Sequence, residues 1–369
     1  MTLLLVTVLQ AGSFELAEGE RVLFLGNTFV ERDLKHNRLE TLLTGRFHAK
    51  SLIFRNLGWD GDTVWGTSRA GFGREEDGFK QLQKQVAEVK PTLIFLAYGL
   101  NESFAGEPGL ARFDDGLRRL LDALAPSRAR VVVLGPCRHE GSAEHTENLR
   151  LYAGALRKTA DARGFRYVDL LDLKGDGPLT DNGIHLGDEG YARAALAVEA
   201  ALGYKARSWK VEIDVGKESV KAEGLSLKSK FTDYNKARFE AVDDLLPVEG
   251  APRALYVKGL QPGRYALKVD GKPLASGTYD EWARGIDLRK GPEFDRAEAL
   301  RAVIAEKNRI FFDYWRPHNE TYIFGFRKRE QGSLQAEFPQ FPALVAVKEA
   351  EIAKLRVPAV VTYTLEPEK

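Results

Sequence analysis

Four short segments of this 369-residue sequence carry side chains that suit chemistry, and each follows an apolar run. They supply the hydroxyl of Thr28, the backbone N–H of Gly61, the side-chain amide of Asn101 and the imidazole of His185. A hydroxyl can attack a carbonyl carbon when an imidazole takes its proton. Glycine N–H groups and a side-chain amide can hold the oxyanion that forms, and losing one such donor costs roughly 3–4 kcal/mol. Together these residue types are typical of acyl transfer.

A structural role is the competing hypothesis for each of these residues. Thr28 stands before a helical segment with Glu31 three residues later, which is the spacing of a helix-capping box. Gly61 and Asn101 are residue types that suit turns, and an isolated histidine is more often structural than catalytic. Taken alone, the Thr28 segment favours the helix cap. The four segments taken together favour the chemical hypothesis, because one set of strand ends would bring them into one site.

The elements that would position these residues alternate along residues 20–203. Five apolar runs have the length of buried strands: RVLFLG, SLIFRNLG, PTLIFLAYG, RVVVLGP and FRYVDLL. The segments between them place apolar residues at helical spacing, as Phe79, Leu82 and Val86 do. Strands that alternate with helices predict a parallel sheet with helices on both faces. Ligands bind at the carboxyl ends of such strands, which is where the four segments fall.

The pattern changes from about residue 205, where alternating stretches and tight-turn pairs predict a β-rich structure. The later segment EFDRAEALRAVIAEKNRIFFDYW predicts a helix. We therefore predict an α/β/α domain at residues 19–204, a β-rich accessory module whose helix packs back on the site at residues 205–336, and a tail with one helix at residues 337–369. Residues 1–18 are either an export signal or a first strand.

In order and approximate spacing, the four segments resemble the sequence blocks of the SGNH (GDSL) hydrolase superfamily. Gly26-Asn27-Thr28 takes the place of that family's Gly-Asp-Ser, and Gly61-Asp62-Thr63 contains its second-block glycine. Gly99-Leu100-Asn101-Glu102 matches its Gly-x-Asn-Asp. Asn182-Gly183-Ile184-His185, followed by Gly190-Tyr191, matches its final Asp-x-x-His block. The resemblance covers about the first 200 residues.

The resemblance implies a flavodoxin-like three-layer α/β/α fold with a five-stranded parallel sheet. It also implies an enzyme that hydrolyses esters, among them acetylated sugars, lipids and thioesters. It gives Thr28 the place of the nucleophile, His185 that of the base, and Gly61 and Asn101 those of the oxyanion hole. It implies neither a metal nor an organic cofactor.

Two departures from the family pattern bear on mechanism. The nucleophile place holds a threonine instead of a serine, and the extra methyl group of Thr28 crowds the attacking oxygen. The acid place holds Asn182, which can orient His185 but cannot stabilise its charged form. Asp181, one residue earlier, is the alternative partner for the imidazole, and the sequence leaves this choice open.

Further polar and aromatic residues are candidates for binding substrate. An aromatic ring can stack on a sugar and an arginine can bind an anion, while the same residues could equally pack a loop or cap a helix. The candidates are Asn27, Trp65, Arg69, Glu102, Arg316, His318 and Asn319.

We expect a carbohydrate O-acetyl esterase that acts on a small-molecule or glycan ester. There are two alternatives: a carbohydrate-binding protein on a scaffold that has lost catalysis, and a glycan-cleaving enzyme in which Asp181, His185 or Glu102 activates water. The formal net charge of +1 does not indicate a nucleic-acid partner, and no apolar run is long enough to span a membrane. The apolar start of the chain favours export to the periplasm or the medium over a cytoplasmic location.

Overall fold

The structure is a computed structural model, and it describes residues 13–175, 177–233, 235–330 and 334–368. Most of the segment predicted as an export signal or first strand therefore lies outside the described residues. Its last part is folded against the N-terminal unit of the protein. The N–H of Phe14 donates to the carbonyl of Leu202 at 2.7 Å, and the Leu16 side chain is fully buried.

A five-stranded parallel sheet forms the centre of the described N-terminal unit. Its strands are β1 (Arg21–Gly26), β2 (Ile53–Gly58), β3 (Leu93–Ala97), β4 (Arg130–Leu134) and β5 (Arg166–Val168). They lie side by side in the order β2-β1-β3-β4-β5. Side chains alternate between the two faces of β1, so Val22 and Phe24 enter one core and Leu23 and Leu25 enter the other.

Six α-helices of the described residues cover the two faces of this sheet. They are α1 (Thr28–His36), α2 (Arg38–Arg46), α3 (Glu75–Val89), α4 (Leu110–Leu124), α5 (Ala143–Arg163) and α6 (Asp188–Ala201). Helices α1, α2 and α6 pack on one face, and α3, α4 and α5 pack on the other. The strands are apolar on both faces because helices cover both. This is the three-layer α/β/α fold that the sequence predicted.

Two further sheets occupy the described part of the C-terminal half. Their strands are β6 (Trp209–Asp214), β7 (Ser219–Glu223), β8 (Leu225–Asp233), β9 (Lys236–Asp243), β10 (Arg253–Lys258), β11 (Arg264–Val269), β12 (Lys272–Thr278), β13 (Ile286–Asp287) and β14 (Val360–Pro367). One sheet has the order β13-β10-β6-β7 and the other β12-β11-β14-β9-β8. The neighbouring strands are antiparallel except β6 and β10. Both sheets contribute to one core, which includes Trp209, Phe239, Leu255 and Tyr363.

The end of the chain differs from the predicted tail. Four α-helices of the described C-terminal half are α7 (Tyr279–Arg284), α8 (Pro292–Trp315), α9 (Glu320–Ile323) and α10 (Phe341–Leu355). After α10 the chain forms β14, which lies between β9 and β11 with Tyr363 and Leu365 buried. The final residues are therefore part of the β-rich module. None of the described helices combines the length and apolar character needed to cross a membrane.

Helix α8 binds the C-terminal half to the N-terminal unit through buried polar contacts. The Lys307 ammonium is 1% exposed and donates to Glu40 Oε1 on α2 at 2.5 Å. Asn308 Nδ2 donates to the other Glu40 oxygen at 2.9 Å. Burial lowers the pKa of Lys307, and the Glu40 carboxylate opposes that change. A buried ion pair of this kind costs much to break, because the remaining charge has no counterpart.

Candidate active site

Asn27, and not Thr28, caps the helix that begins after β1. Asn27 has an extended backbone, and its side-chain oxygen accepts the N–H of Phe29 at 3.1 Å. The Glu31 carboxylate, which a capping box would direct to the cap, instead accepts the N–H of Asp60 in the loop after β2. The helix-cap hypothesis for Thr28 is therefore wrong. Asn27, a residue that the sequence suggested for substrate binding, also lines a small cleft together with Thr28.

The Thr28 hydroxyl is directed toward the loop after β2. Its Oγ1 accepts the N–H of Gly61 at 3.0 Å. Gly61 has a φ of +72°, a conformation that glycine adopts without strain. The end of β1 is equally constrained, since a Cβ on Gly26 would lie 2.3 Å from the carbonyl oxygen of Ala97 on β3. The two glycines thus bring the Thr28 hydroxyl and a backbone donor together.

The turn from Trp59 to Asp62 carries Gly61 and is held by main-chain and side-chain bonds. The Trp59 carbonyl accepts the N–H of Asp62 at 3.0 Å. Asn101 donates from Nδ2 to the Asp62 carbonyl at 2.7 Å. Because an amide side chain has two N–H donors, Asn101 has one left for another partner. Gly61 and Asn101 therefore meet at one turn beside Thr28.

His185 lies in the loop before α6, with Asn182 as its neighbour. Asn182 Oδ1 accepts the backbone N–H groups of Ile184 at 3.2 Å and of His185 at 3.0 Å. Asn182 Nδ2 lies 3.1 Å from His185 Nδ1. Partial burial lowers the pKa of His185, and the positive charge of Arg32 is the second cause. The imidazole is therefore neutral at pH 7.

The orientation of Asn182 determines which ring nitrogen of His185 carries the proton. Because Oδ1 already accepts two backbone N–H groups, the group that faces Nδ1 is the NH₂ donor. A donor bonds to Nδ1 only where that nitrogen has a free lone pair, so the proton of the neutral ring resides on Nε2. A base that accepts a proton at Nε2 needs the opposite tautomer. The resting imidazole is thus a poor acceptor for the Thr28 proton.

The carboxylates of Asp181 and Glu102 are engaged elsewhere. Asp181 lies 3.6 Å from the guanidinium of Arg32, and within the described structure its side chain makes no hydrogen bond to the His185 ring. The two oxygens of Glu102 accept backbone N–H groups at 2.8 Å each, and burial raises its pKa to about 7. Neither carboxylate lines the cleft that Thr28 and His185 share, so the geometry gives no support to the alternative in which Asp181 or Glu102 activates water. Glu102 is buried, and its carboxylate holds the backbone at Val64 and Gly99.

Thr28 and His185 line one small cleft at the carboxyl ends of the parallel strands. Its volume of about 20 Å³ has room for about one water molecule. The two side chains share this cleft without a hydrogen bond between them in the described structure. Arg32 and Ile184 also line the cleft, and neither was a candidate from the sequence. Helical spacing could have predicted Arg32 as a cleft residue, because it lies four residues after Thr28 and therefore on the same face of α1.

Arg69 is part of the core, which corrects its predicted role in substrate binding. Its side chain is fully buried. The guanidinium donates to Asp62 at 2.7 Å, to Gln85 at 2.7 Å and to the Leu57 carbonyl at 2.8 Å. Because the side chain is fully buried and all three nitrogens bond within the protein, the guanidinium is not accessible to a substrate anion. Trp65 packs against a glycine of α4 and does not line the Thr28 cleft.

The three candidates that follow α8 lie outside the Thr28 cleft. Arg316 donates to Glu31 at 2.7 Å, and its guanidinium lies 3.9 Å from the ring centroid of Trp59. His318 and Asn319 are exposed, and Asn319 precedes the short helix α9. None of the three is among the residues that line the cleft. Their role in binding substrate therefore stays a prediction.

Residues 25–193 match the model of the GDSL-like Lipase/Acylhydrolase family. The matched part contains all four segments, and the match confirms the resemblance to SGNH hydrolases. It places this domain among hydrolases that act on ester bonds. The comparison with curated proteins gave no match.

Several solved structures are similar to this chain at low sequence identity. BT4096, a gut microbial diltiazem-metabolizing enzyme, has 16% identity and a TM-score of 0.72, covering 96% of this chain and 99% of that chain. Axe2, an acetylxylan esterase from Geobacillus stearothermophilus, has 16% identity and a TM-score of 0.43, covering 51% and 96%. LAE5, an α/β hydrolase from the metagenome of Lake Arreo, has 19% identity and a TM-score of 0.43, covering 52% and 98%. The similarity to BT4096 in fold extends over both halves of this chain.

Proposed function

Because residues 25–193 carry a GDSL-like acylhydrolase domain, we propose that the protein is a carbohydrate O-acetyl esterase in which Thr28 attacks the acetyl group. The observation that carries the proposal is the position of Thr28, whose Oγ1 accepts the Gly61 N–H at 3.0 Å and which lines one cleft with His185. Acyl transfer needs a hydroxyl that lies beside both an oxyanion donor and an imidazole.

The reaction proceeds in two steps. Thr28 Oγ1 bonds to the acetyl carbon, the bond from that carbon to the sugar oxygen breaks, and the sugar leaves as an alcohol. His185 Nε2 takes the Thr28 proton and transfers it to the sugar oxygen. Water then attacks the acetyl carbon while His185 Nε2 takes one of its protons. The bond from that carbon to Thr28 Oγ1 breaks, Thr28 Oγ1 receives the proton from His185, and acetic acid leaves. The oxyanion of each step is held by the N–H groups of Gly61 and Thr28 and by the second N–H of Asn101.

In this proposal Asn182 makes His185 a weaker general base. Before Nε2 can accept a proton, His185 must transfer its own proton to Nδ1. That proton then faces the NH₂ group of Asn182, which is also a donor. This unfavourable arrangement raises the barrier, so turnover is slower than in a site with an aspartate at this place.

The proposed substrate is an acetylated carbohydrate. A cleft of about 20 Å³ favours an acetyl group over a long acyl chain. The carbohydrate part of the proposal is supported by the family resemblance, since acetylated sugars are among the esters that the family cleaves. We propose export of the protein on the apolar start of the chain, and fractionation of the producing cells tests this.

The test is a panel of acetate, butyrate and octanoate esters of 4-nitrophenol together with acetylated xylooligosaccharides. The wild type should prefer acetate. Thr28→Ala and His185→Ala should each lower kcat/KM by about 100-fold or more, because each removes a reacting group. Thr28→Ser should raise kcat, because it removes the crowding methyl group. Full activity in either alanine variant would contradict the proposal.

The contact between Asn182 and His185 favours one second candidate, a carbohydrate-binding protein on a hydrolase scaffold that has lost catalysis. Calorimetric binding of acetylated xylooligosaccharides without turnover would support this candidate. It would be established if Thr28→Ser and Asn182→Asp also gave no turnover.

A further inference from the structure

The end of α8 reaches the turn that carries Gly61. Arg316 follows α8 directly, and its guanidinium lies 3.9 Å from the ring centroid of Trp59, the first residue of that turn. Trp315 meets Trp59 edge to face, with 5.7 Å between ring centroids. Aromatic rings prefer this edge-to-face arrangement, and a guanidinium is attracted to an indole face. Two residues of the C-terminal half thus hold the first side chain of the turn.

Glu31 connects Arg316 to the backbone of the same turn. Arg316 Nη1 donates to Glu31 Oε2 at 2.7 Å, and that oxygen also accepts the N–H of Asp60. The side chains of Arg316 and Glu31 are only 27% and 24% exposed, so solvent screens their attraction incompletely. Bonds to charged groups are stronger than neutral ones. Asp60 directly precedes Gly61, so this contact lies one peptide from the donor that faces Thr28.

Both halves of the chain hold the turn. On the Asp62 side, Arg69 and Asn101 of the N-terminal unit provide the bonds. On the Trp59 and Asp60 side, the Arg316 guanidinium lies 3.9 Å from the Trp59 ring centroid, nearer than Arg69 at 5.4 Å, and it fixes the carboxylate of Glu31. Asp60 and Gly61 are themselves exposed, so little packing replaces these contacts.

From these contacts we infer that Arg316 is a positioning residue for the Gly61 N–H, through Trp59 and Glu31. This inference rests on the proposed esterase function and gives the C-terminal half a part in it. Arg316 acts on the oxyanion donor and lies outside the cleft that would hold the acetyl group. An oxyanion donor contributes fully only within about 2.7–3.1 Å of the oxygen, so a small displacement of the turn lowers the rate.

The experiment compares Arg316→Ala with the wild type on 4-nitrophenyl acetate. We expect kcat to fall by about tenfold while KM stays within about twofold, because the donor acts on the transition state and not on substrate binding. Arg316→Lys should recover little, since an ammonium lacks the planar group that stacks and pairs. Glu31→Gln, which keeps an acceptor for the Asp60 N–H, should lower kcat less than Arg316→Ala and serves if that variant does not fold.

Arg327→Ala is the matched control. Arg327 also pairs with a carboxylate, Glu330 at 2.7 Å, and lies 4.5 Å from the ring centroid of Tyr322. Its removal deletes the same kinds of contact away from the turn and should leave kcat and KM unchanged. A loss of kcat equal to that of Arg316→Ala would overturn the inference.

A second readout separates this inference from the proposed function. Backbone amides of residues 60–62 should exchange hydrogen for deuterium faster in Arg316→Ala than in the wild type or in Arg327→Ala. If the wild type hydrolyses no ester, the proposed function fails and this exchange decides the inference alone. Unchanged exchange would overturn the inference, and so would a rise in KM at constant kcat, which would make Arg316 a substrate contact.

Discussion

At the residue scale, the position of one proton on His185 controls how well Thr28 can be activated. Asn182 Oδ1 accepts two backbone N–H groups, and its NH₂ group faces Nδ1. An aspartate in the same place would give one oxygen to the backbone and the other to an Nδ1–H. The lone pair of Nε2 would then be free to accept the Thr28 proton.

Asn182→Asp should therefore raise kcat on acetyl esters by about tenfold or more. The expectation follows from the opposite substitution in a serine protease triad, which lowers kcat by about 10⁴-fold through the wrong tautomer. Initial rates on 4-nitrophenyl acetate measure the effect. Asn182→Ala is the control, because it removes the contact without supplying a carboxylate and should not raise kcat. An unchanged or lower kcat in Asn182→Asp would refute the tautomer argument.

The pH dependence of the rate should report the charges around His185. Burial and Arg32 lower its pKa below 6.5, so the neutral form that a base requires persists below pH 6.5. The acid limb of kcat/KM should lie below pH 6.5. Arg32→Gln removes a charge that lowers the pKa and should move this limb to higher pH. Asp181→Asn removes a charge that raises the pKa and should move it to lower pH. Shifts in the same direction would contradict this description of the site.

The sequence locates those site residues that strand ends position, and it does not locate side chains that a buried ion pair positions. Thr28, Gly61 and His185 follow strand-like runs, and a parallel sheet gathers such positions at one edge. Arg69 also follows a strand closely, yet its ion pair with the fully buried Asp62 takes it into the core. No local sequence pattern distinguishes an arginine that forms a buried ion pair from one that binds a ligand.

At the element scale, the periodicity of α8 predicts a helix but not the surface to which it binds. The helix docks through Lys307, and a lysine in a helix is normally on the solvent side. Its partner Glu40 belongs to α2, far earlier in the chain. This pairing depends on tertiary structure alone.

Lys307→Met should lower the free energy of unfolding by about 3–5 kcal/mol, because it leaves the buried Glu40 carboxylate without a countercharge. Urea denaturation at pH 7 measures the change. Adding Glu40→Gln to that variant should recover much of the loss, since no unpaired charge remains. Lys348→Met, which breaks a surface pair with Glu306 on α10 and α8, is the control and should have little effect. Equal losses for the two lysines would contradict the role assigned to the buried pair.

At the scale of the whole molecule, the N-terminal unit is predictable because its strands and helices alternate locally. In the C-terminal half the β-rich character is predictable but the order of the strands is not, because β14 joins a sheet whose other strands precede it by a long stretch of chain. A short run such as VVTYTLEP does not reveal that it lies between β9 and β11. The helix predicted in the tail is present as α10, and the strand β14 that follows it was not predicted.

Lysine substitutions at a buried and at an exposed position of β14 should differ in their effect on the free energy of unfolding. Leu365 is 2% exposed, so Leu365→Lys places a charge in the core between the two sheets. This substitution should lower the free energy of unfolding by about 3 kcal/mol or more. Val360 is 56% exposed, so Val360→Lys should be tolerated. Soluble yield and urea denaturation of both variants provide the measurement. Equal tolerance of both substitutions would show that β14 is not a core strand.

The central claim is that Thr28 forms the covalent acyl intermediate, and locating a covalent adduct tests it most directly. The protein is incubated with a fluorophosphonate, digested, and analysed by peptide mass spectrometry. We predict modification of Thr28 in the wild type, faster modification in Asn182→Asp, and no modification of that peptide in Thr28→Ala. A wild-type protein that hydrolyses acetyl esters while Thr28 remains unmodified, or is modified only at another residue, would contradict the claim.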